Sequence, residues 1–276
     1  MSGTPRAGRG APSTPRVAGA LFVMGLLVGC QDCLPRYEAE EVERLAYPSC
    51  GEGPLPEGEV IASGHLRAGP TMREGSVVER WEVRRRDCLY VFTVHQEWER
   101  QISDVEVVYD ADWKPLRAWK RMTIPGADPD GRPDTRLYQL EDEPVSMIQR
   151  SPEGLSRHRF NGGRPVAVIG PGRALVSAWI QAHDLEVGDV VRGPVLDFRP
   201  LVEEIDEVAL RRDPDREEPG LGPVRVYTVF GRESVFTDEH GWVVGDLAGL
   251  RTDESLDTPA PEPLPTYGAP NPRGTP

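Results

Sequence analysis

Few residues of this sequence have the types and spacing that chemistry needs. His95, Glu97 and Glu99 alternate along one stretch, which would set three metal-ligating side chains on one face of a strand. The same alternation describes the wet face of an ordinary strand, and that is the reading adopted. Asp128, Asp130 and Asp134 surround Gly131 with oxygen ligands, but the spacing misses that of a hand-type calcium loop. An Asp-Pro-Asp-Gly turn accounts for them. Gly170 and Gly172 precede a helical stretch, the setting in which helix N-terminal amides approach a phosphate. A dinucleotide loop would place a third glycine where Leu175 stands, and no βαβ series surrounds it, so a plain strand-to-helix turn is expected. Ser156 lies two residues before His158 without an identifiable third group to orient the imidazole, and neither a G-x-S-x-G nor an H-E-x-x-H motif occurs. No catalytic residue, metal site or cofactor is expected.

The four cysteines are more informative. Arg6, Arg9 and Arg16, with no acid near them, precede an apolar run from Val17 to Gly29, the layout of a signal peptide. That run is too short to cross a bilayer, which takes about 20 residues. It ends in Leu27-Val28-Gly29-Cys30, which resembles the lipobox of bacterial lipoproteins at all four positions. The resemblance implies a cut before Cys30, acylation of its sulfur and a membrane anchor made of that lipid. Gln31 follows where an inner-membrane retention signal would have aspartate, so the implied location is the cell envelope, with the outer membrane, periplasmic side, favoured. With Cys30 acylated, Cys33, Cys50 and Cys88 remain, an odd number for an oxidising compartment. A Cys50–Cys88 disulfide with Cys33 free is expected; three reduced, buried thiols are the alternative.

The elements that would position these residues are short. Glycine (29) and proline (28) are abundant in the 276 residues, which disfavours long helices. Lys+Arg is 32 against Asp+Glu 45, and a net charge of -13 argues against nucleic acid as a partner. The chain divides into a leader (1–29), a lipidated N-terminus with a short helix and linker (30–58), an antiparallel β-domain (59–251) and a disordered Pro-rich tail (252–276). The helix is expected over 35–46, with Val42, Leu45 and Ala46 as a narrow apolar stripe before Pro48.

From Val77 the period becomes two. Tyr90, Phe92, Val94 and Trp98 share one face, as do Val105, Val107 and Tyr109 on the next stretch, so pairing the two gives one apolar surface. Further strands are expected at 116–124, 136–141, 144–150, 155–160, 164–169, 189–192, 195–210, 223–230, 233–237 and 242–245. Turns at 110–115, 151–154 and 161–163 separate some of them, 211–220 reads as a solvated loop, and one helix is expected at 173–183 with Leu175, Trp179 and Ala182 on one side. The fold class is mainly β: a curled antiparallel meander or half-barrel of about ten strands with one or two short helices.

This order loosely resembles the curled-sheet lipoprotein carrier and its outer-membrane acceptor, in which an open sheet wraps an apolar cavity. Two functions follow. One is a non-enzymatic envelope scaffold or partner-binding module; the other is a carrier or sensor of an apolar ligand such as a lipid acyl chain. Tyr90, Phe92, Trp98, Val105, Val107 and Tyr109 would form either a ligand cavity or the core.

Overall fold

Alternating strands with one wet face need a partner layer for the other face, and a long sheet can supply it by curling on itself. The computed structural model describes residues 58–68, 77–86, 88–98, 101–124, 134–151, 154–199 and 203–253. Among the described residues, fifteen strands make one sheet. The first meander is β1 (Glu59–Ala68), β2 (Val78–Arg86), β3 (Leu89–Trp98), β4 (Gln101–Tyr109), β5 (Pro115–Thr123), β6 (Asp134–Gln139), β7 (Ser146–Ser151) and β8 (Gly154–Arg159). After β9 (Ala167–Ile169) come a 3-10 turn (Arg173–Leu175) and the helix α1 (Val176–Gln181). The second meander is β10 (Val190–Asp197), β11 (Glu204–Glu218), β12 (Gly222–Val229), β13 (Glu233–Thr237), β14 (Val243–Asp246) and β15 (Leu250–Thr252).

The strand order is β8-β7-β6-β5-β4-β3-β2-β1-β15-β14-β13-β12-β11-β10-β9. Consecutive strands pair antiparallel within each meander, β1 joins β15 antiparallel in the middle, and β9 alone pairs parallel, with β10. The curled, mainly antiparallel class expected from the sequence is therefore the one observed, with fifteen strands rather than about ten.

Three local expectations are corrected. Asn161-Gly-Gly163 does not close a hairpin, because β8 and β9 are the two opposite edges of the sheet and this loop runs between them. Residues 211–218 are strand, not loop. Their charges pair along the strand (Arg211 with Asp213 at 2.7 Å, Arg216 with Glu218 at 2.6 Å), and the Arg212 and Arg216 guanidiniums lie over Tyr227 and Phe236. Cation–π contact and ion pairing take the place of an apolar stripe there. The stretch around Pro214 is accommodated by a register shift between Asp213 and Arg216. The helix is not one-sided either. Ala174 through Ile180 are all buried, because α1 lies inside the concavity and touches both walls.

Leu175 and Ala178 face a cluster with Phe92, Val94, Val105, Val107 and Tyr109, while Val176, Trp179 and Ile180 face Leu210, Tyr227 and Val243. The helix is tied to both meanders. Glu79 of β2 is fully buried; its two carboxylate oxygens accept the backbone N–H groups of Arg173 (2.9 Å) and Ala174 (2.8 Å), and Gln96 of β3 donates to it at 3.3 Å. From the other side, Arg173 donates to Glu233 (2.6 Å) and Asp246 (3.1 Å), and Ser177 Oγ accepts the Val243 N–H at 2.9 Å. The turn amides that could have held a phosphate thus hold the chain's own carboxylate. Gly172 is required for that approach, since a Cβ there would lie 2.5 Å from Val94 Cγ1 and 3.0 Å from Glu79 Cδ.

Burial raises the pKa of Glu79, and the two backbone amides and Gln96 oppose that rise. Glu79→Gln keeps the side chain's size but turns an NH2 toward a backbone N–H. Chemical denaturation should show a loss of about 1–3 kcal/mol; an unchanged midpoint would mean that the amides at 173 and 174 do not depend on a charged acceptor.

Candidate functional site

The side chains expected to form a cavity or core divide clearly. Phe92, Val105, Val107 and Tyr109 are fully buried against α1, and Tyr90 is half-buried, stacked on Trp113 with ring centroids 4.2 Å apart. Trp98 departs from the expectation. It shares the face of Phe92 but is 43% exposed, because β3 runs past the end of α1 and reaches the open rim of the sheet, where Ile124 is also exposed. The concave face is therefore core, packed by Trp81, Phe92, Trp113 and Trp242 with neighbouring ring centroids 5.7–6.5 Å apart.

The sheet stops short of closing, and a cleft of 540 Å³ lies where the β6-β7-β8 end approaches the start of β11. Met147, Phe160 and Ile205 give it apolar walls, and Arg136, Gln149 and Glu203 give it polar ones. Beside it is a buried ionic network. Lys120 Nζ, on the inward face of β5 between Ala118 and Met122, donates to Glu203 (2.9 Å) and to the Phe198 carbonyl (2.9 Å). Arg136 of β6 donates to the other Glu203 oxygen and to Asp134 (2.7 Å), which also accepts from Gln149 (3.1 Å). Desolvation lowers the Lys120 pKa, with Glu203 opposing it. Lys120, Arg136, Asp134 and Glu203 thus each face a counter-charge, as buried charges require.

Ser156 Oγ and His158 Nε2 do come within 3.1 Å on the exposed inner side of β8, and His158 lines the cleft. Among the described residues, no carboxylate is seen to hydrogen-bond the other imidazole nitrogen, the place of the orienting third group in a nucleophilic site.

His95 lies on the outer face, in one cross-strand row with Arg80, Asp104 and Arg121. Its Nδ1 meets Asp104 at 2.6 Å and its Nε2 meets Glu97 at 3.1 Å, so both ring nitrogens face carboxylates. Arg121 grips the second Asp104 oxygen at 2.7 Å and Arg80 reaches Glu97 at 3.2 Å. No cluster of metal-ligating side chains occurs among the described residues; Glu99, Asp128 and Asp130 lie outside them. The Asp104 hydrogen bond raises the His95 pKa above 6.5, while its desolvation works the other way.

A histidine whose folded pKa is raised stabilises fully below its unfolded value and loses that contribution as pH rises through the folded value. Comparing unfolding of wild type and His95→Asn between pH 6 and pH 9 should therefore show the larger deficit at pH 6. A deficit independent of pH would remove the charged imidazole from this row.

Cys88, exposed in the turn between β2 and β3, is disulfide-bonded. Its partner is one of Cys30, Cys33 and Cys50, all of which lie outside the described residues, as do the lipobox and the expected helix over 35–46. No helix among the described residues is long and apolar enough to cross a membrane.

No protein-family model matches the sequence, and no curated protein matches it either. Among solved structures, the chain is similar to a DUF1089 family protein from Pseudomonas aeruginosa, at 16% identity over 64% of this chain and 92% of that one, with a TM-score of 0.42. It is also similar to a beta-barrel-like protein of the domain of unknown function DUF1849 from Brucella abortus, at 10% identity over 69% of this chain and 85% of that one, with a TM-score of 0.33.

Proposed function

We infer that this chain is a lipid-anchored envelope protein whose β-domain serves as a non-enzymatic scaffold or partner-binding module. The observation that carries this reading is the filled concavity. A carrier of an acyl chain needs an apolar space to hold it, whereas here α1, Phe92, Val107 and Leu196 occupy the interior of the curled sheet. The Leu27–Cys30 lipobox supports the anchor, and the exposed rim pair Trp98 and Ile124 offers an apolar contact for a partner.

The carrier reading keeps one specific observation, the 540 Å³ cleft with Met147, Phe160 and Ile205 on its walls. Two measurements separate the readings. In the native host, Cys30→Ser should leave an uncleaved precursor that incorporates no labelled palmitate; cleavage and membrane retention as in wild type would remove the anchor. The delipidated protein, titrated with a fluorescent fatty acid, should show no saturable micromolar binding. Saturable binding abolished by Ile205→Arg would replace the scaffold with a carrier working from the cleft.

A further inference from the structure

The cleft between β8 and the start of β11 carries charges of both signs around an apolar interior. Phe160 and Ile205 on its walls are only half-buried. On the β8 side stand His158 and Arg159, on the β11 side Glu204 and Asp206, and all four are exposed. Arg136 and Glu203, which also line the cleft, are paired with each other. Arg159, Glu204 and Asp206 enter no ion pair among the described residues.

The two sides are fixed relative to each other. The Phe160 N–H donates to the Val145 carbonyl at 2.9 Å, which holds the end of β8 against β7. The loop that follows crosses onto β11, where a Cβ at Gly162 would lie 3.1 Å from Ile205 Cγ2. Gly162 has a φ of 132°, which only glycine adopts without strain, so this close crossing depends on it.

We propose that the cleft binds a small amphiphilic zwitterion, an α-amino acid or dipeptide with apolar side chains. Its carboxylate meets Arg159, its ammonium meets Glu204 and Asp206, and its apolar part lies against Met147, Phe160 and Ile205. Charge selects this class. A fatty-acid anion would bring its head to a rim with one arginine against two carboxylates, and a simple cation would leave Arg159 unanswered. A zwitterion satisfies both sides through charge-assisted hydrogen bonds, the stronger kind. Ser156 and His158, 3.1 Å apart, add hydrogen-bonding groups on the carboxylate's side. Size agrees with charge. A volume of 540 Å³ suits a small molecule, and α1 fills the concavity, so among the described residues the interior offers a long chain no continuation. The proposal goes beyond the scaffold reading and does not depend on the lipid anchor.

The experiment is calorimetric titration of the purified full chain with L-leucine, L-leucyl-L-leucine, the N-acetyl and C-terminal amide forms of that dipeptide, and dodecanoate. The dipeptide or leucine should bind saturably, with a Kd below about 1 mM. Each blocked form of the dipeptide should bind about tenfold more weakly than the free one, because each leaves one side of the cleft without its partner. Arg159→Gln should weaken the free dipeptide and its N-acetyl form and leave the amide form unchanged. Glu204→Gln/Asp206→Asn should weaken the free dipeptide and its amide and leave the N-acetyl form unchanged. These side chains are exposed, so both variants should keep the wild-type thermal midpoint by circular dichroism; if either does not, the blocked forms on wild type decide. No saturable binding of leucine or the dipeptide, equal binding of the free and blocked forms, or tighter binding of dodecanoate would each overturn the proposal, the last in favour of an acyl-chain carrier. Dodecylphosphocholine tests a lipid source for the same charges. Its quaternary ammonium has no N–H to donate to Glu204 and Asp206, so it should bind no better than the N-acetyl form, and binding tighter than the free dipeptide would assign the cleft to a zwitterionic lipid instead.

Discussion

Phe92→Ala should destabilise the domain by about 3–5 kcal/mol without creating or abolishing binding of a fatty-acid probe. The ring is fully buried and stands 5.7 Å from Trp81 and 6.5 Å from Trp242, one from each meander, so its removal opens a void that neither wall can close alone. Contraction would have to move α1, which Glu79 and Arg173 hold at its start. Urea unfolding followed by tryptophan fluorescence measures the loss. A change below about 1 kcal/mol would indicate that the concave face is not tightly packed, contrary to what large-to-small changes in a core produce.

Glu203→Ala should cost as much, about 3–5 kcal/mol, for a different reason. Lys120 and Arg136 are 5% and 13% exposed, and Glu203 is the carboxylate between them. Without it Lys120 keeps the Phe198 carbonyl, the face of the Phe198 ring 5.4 Å away and the more distant charge of Asp134, and its pKa should fall further. The control is Lys120→Met with Glu203→Leu, which removes both charges together and should recover most of the loss. If the double variant is no more stable than Glu203→Ala, the cost comes from lost packing and the ionic pairing contributes little.

The strands that face water on one side were legible as alternation, and β2 through β5 follow it closely. β1 lacks that signature. Gly64 interrupts it at the point where the Trp81 indole crosses the strand, a Cβ there falling 2.8 Å from the ring, and Val60 and Ile61 remain exposed. β11 escapes for the opposite reason, because ion pairs and guanidinium stacking replace the apolar face that alternation detects. Trp98 shows that parity places a side chain on a face without saying where along the strand the covering layer ends. The cleft and its network were not legible, since Lys120 and Glu203 meet across 83 positions and only the sheet's curl brings them together. One signal was available: Lys120 is a charged residue at the inward parity of its strand, flanked by Ala118 and Met122, and such a residue needs a counter-charge from elsewhere in the fold.

The pairing of β1 with β15 has a kinetic consequence. Each other antiparallel contact closes a short loop between consecutive strands, so each meander can zip up from local encounters. The contact of first strand with last closes a loop of nearly the whole domain through only three register pairs, and the entropy of loop closure grows with length. This makes the middle of the finished sheet the last part to assemble. A polypeptide halted before Leu250 would hold two zipped halves, with the edges of β1 and β14 still seeking partners and open to strand addition from another chain. Joining the ends of such a fold is thus a checkpoint on its synthesis: the final strand to emerge is the one that turns two hairpin stacks into a single sheet.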